Sequence, residues 1–250
     1  MTDYTLEVCV DSVESALAAK RGKANRLELC ANLIIGGTTP DPALFRKIRE
    51  LADIRIHVLI RPRFGDFLYT EYEYDIMRRE IETFAKAGAE GIVIGSLRAD
   101  GSLNEQQMKG MIEAAQCGNG CSITLHRAFD VCADPFETME AAKALGVSTI
   151  LTSGQERSCW EGRKLIRQLA QKACGIRILT GAGVTPEIIG KMYPETGLKE
   201  YHMSGKKTLD SGMVYRNSRV SMGLPGISEF EVWRTDEQTV AEACRVLESL

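Results

Sequence analysis

The sequence predicts an α/β protein: a TIM-type (β/α)8 barrel forming a single domain over residues 1–250, with a long loop after the eighth strand. Three observations predict it. Short runs rich in Val, Ile and Leu recur eight times along the chain. Segments with helical spacing separate them, and strands alternating with helices imply parallel βαβ units. The length of 250 residues is typical of this barrel.

Taken in order, "TLEVCVD" reads as the first strand and "NRLELC", beginning only about 20 residues later, as the second. "RIHVLIRPR" is the third. The segment "EYEYDIMRREIETFAKAGAE" then places Tyr74, Met77, Ile81 and Phe84 on one helical face. "GIVIGSL" and "SITLHRAF" follow as strands four and five. "DP" at 134–135 looks like an N-cap with Pro at the first helical position, and "AKALG" (142–146) ends that helix in Gly. "STILTSG" and "RILTGAG" are strands six and seven, "TP" at 185–186 starts another helix, and "EYHMSG" is strand eight. An open doubly wound sheet is the rival. It lacks its GxGxxG in the first β–α turn, where "CVDSVES" stands, so no nucleotide cofactor is expected. Residues 205–229, rich in Gly and Ser, exceed an ordinary connection. They carry Met213, Val214, Tyr215, Val220, Met222 and Leu224, and are expected to cover the barrel mouth or to join a homo-oligomer.

A net charge of −3 argues against a general nucleic-acid or anionic-membrane binder. "MTDYTLEVCVD" lacks the basic start and apolar core of a signal peptide, and no apolar run approaches about 20 residues, so the cytoplasm is expected. The eight cysteines contain no CxxC pair and read as free thiols in a reducing compartment. Cys117 and Cys121 of "CGNGC" have no His or second pair nearby and read as part of a turn.

Alternate residues of a barrel strand face the helices and the axis. Setting the apolar residues against the helices turns Glu7, Cys9 and Asp11 inward on strand one, and Glu28 and Cys30 on strand two. On strand three it turns His57, Leu59 and Arg61 inward, and on strand five Thr124 and His126. The polar register of strand eight is Glu200, His202 and Ser204. All three histidines therefore look inside. Barrel interiors ordinarily hold bulky branched residues, and buried charge is unfavourable unless paired. Two readings fit: a structural network in which Arg61 and the histidines balance the glutamates, or a ligand site at the C-terminal strand ends.

Glycine-bearing turns follow strands six to eight at Ser153-Gly154, Gly181-Ala182-Gly183 and Ser204-Gly205, where backbone N–H groups could approach an anion. An enzyme on this plan would act on a small anionic or phosphorylated metabolite. Glu7 or Glu28 would be the general base, and His126, with His202 in the same register, a general acid or base. Arg61, with Arg63 of the same run, would hold a carboxylate or phosphate. Asp130 would orient Arg127 or cap the following helix.

"EVCVDSVESA", "LELC", "GGTTP", "IRPRFGDFLY", "HRAFD", "LTSGQ", "GAGV" and "SGMVYRNSRVSMG" together resemble the CutC copper homeostasis family over roughly residues 7–223. Phe64 stands where the family more usually has Gly, and Leu125 where it often has Phe. The resemblance implies a cytoplasmic, oligomeric TIM-type barrel with a role in copper handling. It carries a Cu(I) site onto Cys9 and Cys30, which face inward on consecutive strands. Two soft thiolates suit two-coordinate Cu(I) better than Zn(II) or Mg(II), while buried free cysteines also serve simply as small hydrophobes.

Overall fold

The computed structural model describes residues 3–118, 120–217, 219–220, 222 and 226–250. Among them, eight parallel strands close into a barrel: β1 (Thr5–Val10), β2 (Arg26–Leu29), β3 (Arg55–Leu59), β4 (Gly91–Ile94), β5 (Ser122–Leu125), β6 (Thr149–Thr152), β7 (Arg177–Thr180) and β8 (Glu200–Met203). Strand β8 pairs back onto β1, with Glu7 opposite His202. The helices α1 (Val13–Arg21), α2 (Pro42–Leu51), α3 (Glu71–Lys86), α4 (Glu105–Ala115), α5 (Pro135–Ala144), α6 (Arg163–Lys172), α7 (Pro186–Thr196) and α8 (Glu237–Glu248) alternate with the strands.

Local chemistry fixes where these helices begin. Asp134 accepts hydrogen bonds from the Phe136 and Glu137 N–H groups with Pro135 behind it, and Thr185 caps α7 ahead of Pro186. Thr70 and Glu73 bond reciprocally at the start of α3. That helix then buries Met77, Ile81 and Phe84, three of the four residues on the predicted face.

The strands divide their side chains as the alternation predicts. Leu6, Val8, Val10, Leu27, Leu29, Ile56, Val58, Ile123 and Leu125 join the large core shared with the helices. Cys9, Cys30, Leu59 and Val93 form a separate cluster inside the barrel. Each fully buried aliphatic side chain in the outer layer contributes about 1.5–3 kcal/mol, so register is strongly specified.

The segment after β8 is more ordered than a loop. Strand β9 (Lys206–Asp210) pairs antiparallel with β10 (Glu231–Thr235), setting Thr235 opposite Lys206 and Trp233 opposite Thr208. The Thr235 N–H donates to Ser15 Oγ at 3.1 Å and ties this ribbon to α1. Beyond it, Met213, Val214, Tyr215, Val220 and Met222 are exposed. Leu224 lies outside the described residues.

Candidate functional site

The interior of β1, β2 and β8 is charged. Register places Glu7 between Arg26 and His202, and Cys9 beside Glu28. Arg26 Nε donates to Glu7 Oε2 at 2.6 Å, and His202 Nδ1 lies 2.7 Å from Glu7 Oε1. His202 Nε2 is 3.8 Å from Glu28 Oε2. The four residues form one chain of charge in which the two carboxylates share His202. Arg26, Glu7 and Glu28 are buried.

Environment separates the two carboxylates. Burial alone would raise Glu7, but Arg26, then His202 and His57, hold it well below the usual carboxylate range. Glu28 has only the more distant His202 contact, at 3.8 Å. Burial, together with the nearby Glu7 charge, prevails over His202 and Arg26 and raises it to about 7. Burial would lower His202, yet Cys9, Glu28 and Glu7 raise it well above the ordinary imidazole value. His57 and His126 are neutral instead. Burial, then the Arg26 charge, lowers His57 to about 3, and burial, then Arg61, lowers His126 to about 3.

A cavity of about 310 Å³ opens at the C-terminal ends of the strands. Cys9, Glu28, Asp11 and His202 line one side, Arg61, Phe67, His126 and Arg127 another, and Lys206, Trp233 and Arg234 of the ribbon its rim. Lys206 Nζ sits 3.5 Å from the centroid of the Trp233 ring. Of the segment 205–229, Lys206 is the described residue that reaches the cavity, and Trp233 and Arg234 beyond that segment complete the rim.

The two candidate metal ligands are not side by side. Cys9 is paired with Glu28, whereas Cys30 lies two residues beyond Glu28, just past the end of β2, its N–H donating to Val10 O. The thiols are therefore diagonal neighbours on the inner face, set back from the 4.8 Å expected of a paired couple. They still share one cluster with Leu59 and Val93. Gly37 closes over Cys30, and a Cβ there would come within 3.8 Å of its Sγ and 2.8 Å of the Leu59 side chain. Glu7, Glu28 and His202 also bring one donor atom each within 4.8 Å of one another. Their oxygen and nitrogen donors suit harder cations than Cu(I).

The expected partners of Arg61 and Arg63 change. Arg61 does not balance the glutamates. Its Nη1 donates to the Gly36 and Gly37 carbonyls at 3.2 and 3.1 Å, and its Nη2 to Gly65 O at 2.8 Å. Arg26 takes the balancing role. Arg63 points away from the cavity: it pairs with Glu73 at 2.6 Å and Asp66 at 3.0 Å and organises the 64–68 turn.

The turn after β6 already holds an anion from its own chain. Asp130 accepts from the Ser153 N–H at 3.0 Å, the Thr152 hydroxyl at 2.5 Å, the Ser153 hydroxyl at 2.9 Å and the Gln155 N–H at 3.3 Å. It also orients Arg127 at 2.6 Å, while Asp134 caps the following helix. Gly154 serves packing, since a Cβ there would meet Gly162 O at 2.3 Å. A Cβ on Gly181 would strike Leu151 at 2.6 Å. Gly205 packs on Val240 and Met203. Of the proposed anion turns, Gly183 and Ser204 face the cavity.

Sequence reasoning missed Arg26, although its position two residues before Glu28 puts it in the same inward register. Phe67 and the Trp233–Lys206 rim carried no local signal, because long-range pairing of β9 with β10 places the rim.

The model of the CutC family matches residues 4–207. A family protein CutC from Bacteroides fragilis (strain YCH46) is 45% identical over 234 residues, covering 92% of each chain. A copper homeostasis protein cutC homolog from Mus musculus is 40% identical over 93% of this chain and 85% of its own. The crystal structure of a putative copper homeostasis protein CutC from Streptococcus agalactiae superposes with a TM-score of 0.76 at 29% identity, over 80% of this chain and 98% of that one. Closed barrel and sequence agree: the chain belongs to the CutC family.

Proposed function

We propose that this chain is a copper homeostasis protein of the reducing cytoplasm that holds Cu(I) between Cys9 and Cys30, with His202 alongside. The observation that carries the reading is the pair of inward thiols in one cluster, ringed by carboxylates and reached through a cavity that Cys9 lines. Burial, then Glu28, Cys9, Asp11 and Glu7, pushes the Cys30 thiol well above its ordinary value. The same carboxylates attract a cation, and a bound metal ion stabilises the thiolate that they oppose. The mouse relative's name points the same way.

Competition of the protein with a Cu(I) chelator tests this. Stoichiometric binding is expected, weakened at least about tenfold in Cys9→Ser and Cys30→Ser while melting persists. Unchanged affinity in the double variant removes these ligands, and absence of stoichiometric binding removes the metal reading.

A second reading is favoured by the cavity itself. About 310 Å³ exceeds what one ion needs and reaches the range of small-molecule sites. In this reading Glu28, near 7, accepts a proton from a bound metabolite at neutral pH, and the Glu7–His202 pair steadies the charge that develops.

A further inference from the structure

Two buried donors in the cavity wall have no acceptor among the described residues: Arg61 Nε and His126 Nε2. Their side chains are 9% and 4% exposed, and both line the cavity. His126 Nδ1 accepts from the Ala128 N–H at 3.1 Å, which leaves the ring proton on Nε2. In Arg61, three backbone carbonyls hold the Nη atoms, fixing the guanidinium plane and leaving Nε–H over. Phe67 bridges the two side chains, its ring centroid 5.0 Å from the Arg61 guanidinium carbon and 4.8 Å from the His126 ring centroid. Both side chains thus pack on Phe67 in the cavity wall.

A buried donor without a partner is strongly disfavoured, and native proteins rarely leave one. Two on side chains that pack on the same Phe67 mark a place for an oxygen atom. We propose that Arg61 Nε–H and His126 Nε2–H together bind a carboxylate oxygen of a small metabolite whose carbon chain lies against Leu33, Leu59 and Leu151. Charge selects the class. The Arg61–His126 pair offers one positive charge and one neutral donor, and Arg127 beside it is already paired with Asp130, which suits a monoanion. A phosphate dianion would need more donors, and it would face Asp11 and Glu28 across the cavity. The turn after β6 has already given its backbone amides to Asp130.

This inference rests on the small-molecule reading of the cavity, but its test measures binding and not turnover. Bound pyruvate without any reaction would support the subsite while leaving the catalytic reading unsupported. The chain has three histidines, whose side-chain nitrogen signals are assigned by comparison with the His126→Asn variant; the protein is labelled with 15N and titrated with pyruvate, with acetate and with inorganic phosphate. Pyruvate at millimolar concentration is expected to shift His126 Nε2 saturably, to leave His57 unmoved and to raise the melting temperature. His126→Asn keeps an acceptor for the Ala128 N–H and removes the Nε2 donor. It is expected to weaken pyruvate binding about tenfold without lowering the melting temperature of the free protein. The proposal is overturned if pyruvate and acetate leave His126 unmoved, if phosphate alone binds, or if the folded Asn variant binds pyruvate as the native protein does. Should that variant fail to fold, the native titration alone decides.

Discussion

Glu28→Gln should stabilise the folded protein at alkaline pH and leave it unchanged in acid. Glu28 titrates at about 7 in the fold against an ordinary 4.5, because burial and Glu7 disfavour its charge. A carboxylate raised in this way contributes stability below pH 4.5 that is lost as pH climbs through about 7. That rise from 4.5 to about 7 corresponds to about 3 kcal/mol at full ionisation. Glutamine has the shape of the protonated acid and escapes that loss. Part of the gain is offset because His202 loses an anionic neighbour, so about 1–3 kcal/mol is expected at pH 8. Urea melts of both proteins at pH 4 and pH 8 measure it, with the gain nearly all in the alkaline pair. A variant several kcal/mol less stable at pH 8 would refute the reasoning and make Glu28 a charged structural partner of His202. A difference equal at both pH values would refute the raised pKa.

Three other outcomes follow from the same geometry. Arg26→Met leaves the Glu7 carboxylate buried without its main cation and should lower stability by about 3–5 kcal/mol in urea melts, a loss that adding Glu7→Gln should partly restore. His57, at about 3 in the fold, contributes stability above pH 6.5 that is lost as pH falls toward 3. His57→Gln should therefore flatten the acid limb of a stability profile by about 1.4 kcal/mol per pH unit. The exposed Met213, Val214 and Tyr215 lead us to expect association between copies, so light scattering should give a mass above 27.6 kDa, and a strict monomer would leave the segment only the place of Lys206 on the cavity rim.

Alternation in short strands was legible because two solvents, the helix layer and the barrel axis, sort residues by polarity. It oriented Glu7, Glu28, His57, His126 and His202 correctly from residue order alone. Pairing partners were not legible. Arg61 faces the cavity as expected, but the carbonyls that engage its Nη atoms come from turns whose path no periodicity specifies. The relative stagger of Cys9 and Cys30 depends on the register of β2 on β1, which sets Glu28 and not Cys30 opposite Cys9 and which neither strand encodes alone. Asp130 shows the same limit: an acidic residue beside a glycine turn looks like a neighbour of an anion site, and here it is the anion.

The chain of charge through Arg26, Glu7, His202 and Glu28 also constrains how this interior can change over generations. Each member neutralises or shares a proton with the next, so replacing Arg26 or Glu7 alone strands a bare charge away from water. An oily interior could serve the barrel equally well, but the single-step routes toward it cross a fitness valley several kcal/mol deep. The polar axis can thus outlast the ligand that first favoured it, held in place by mutual dependence among its own residues.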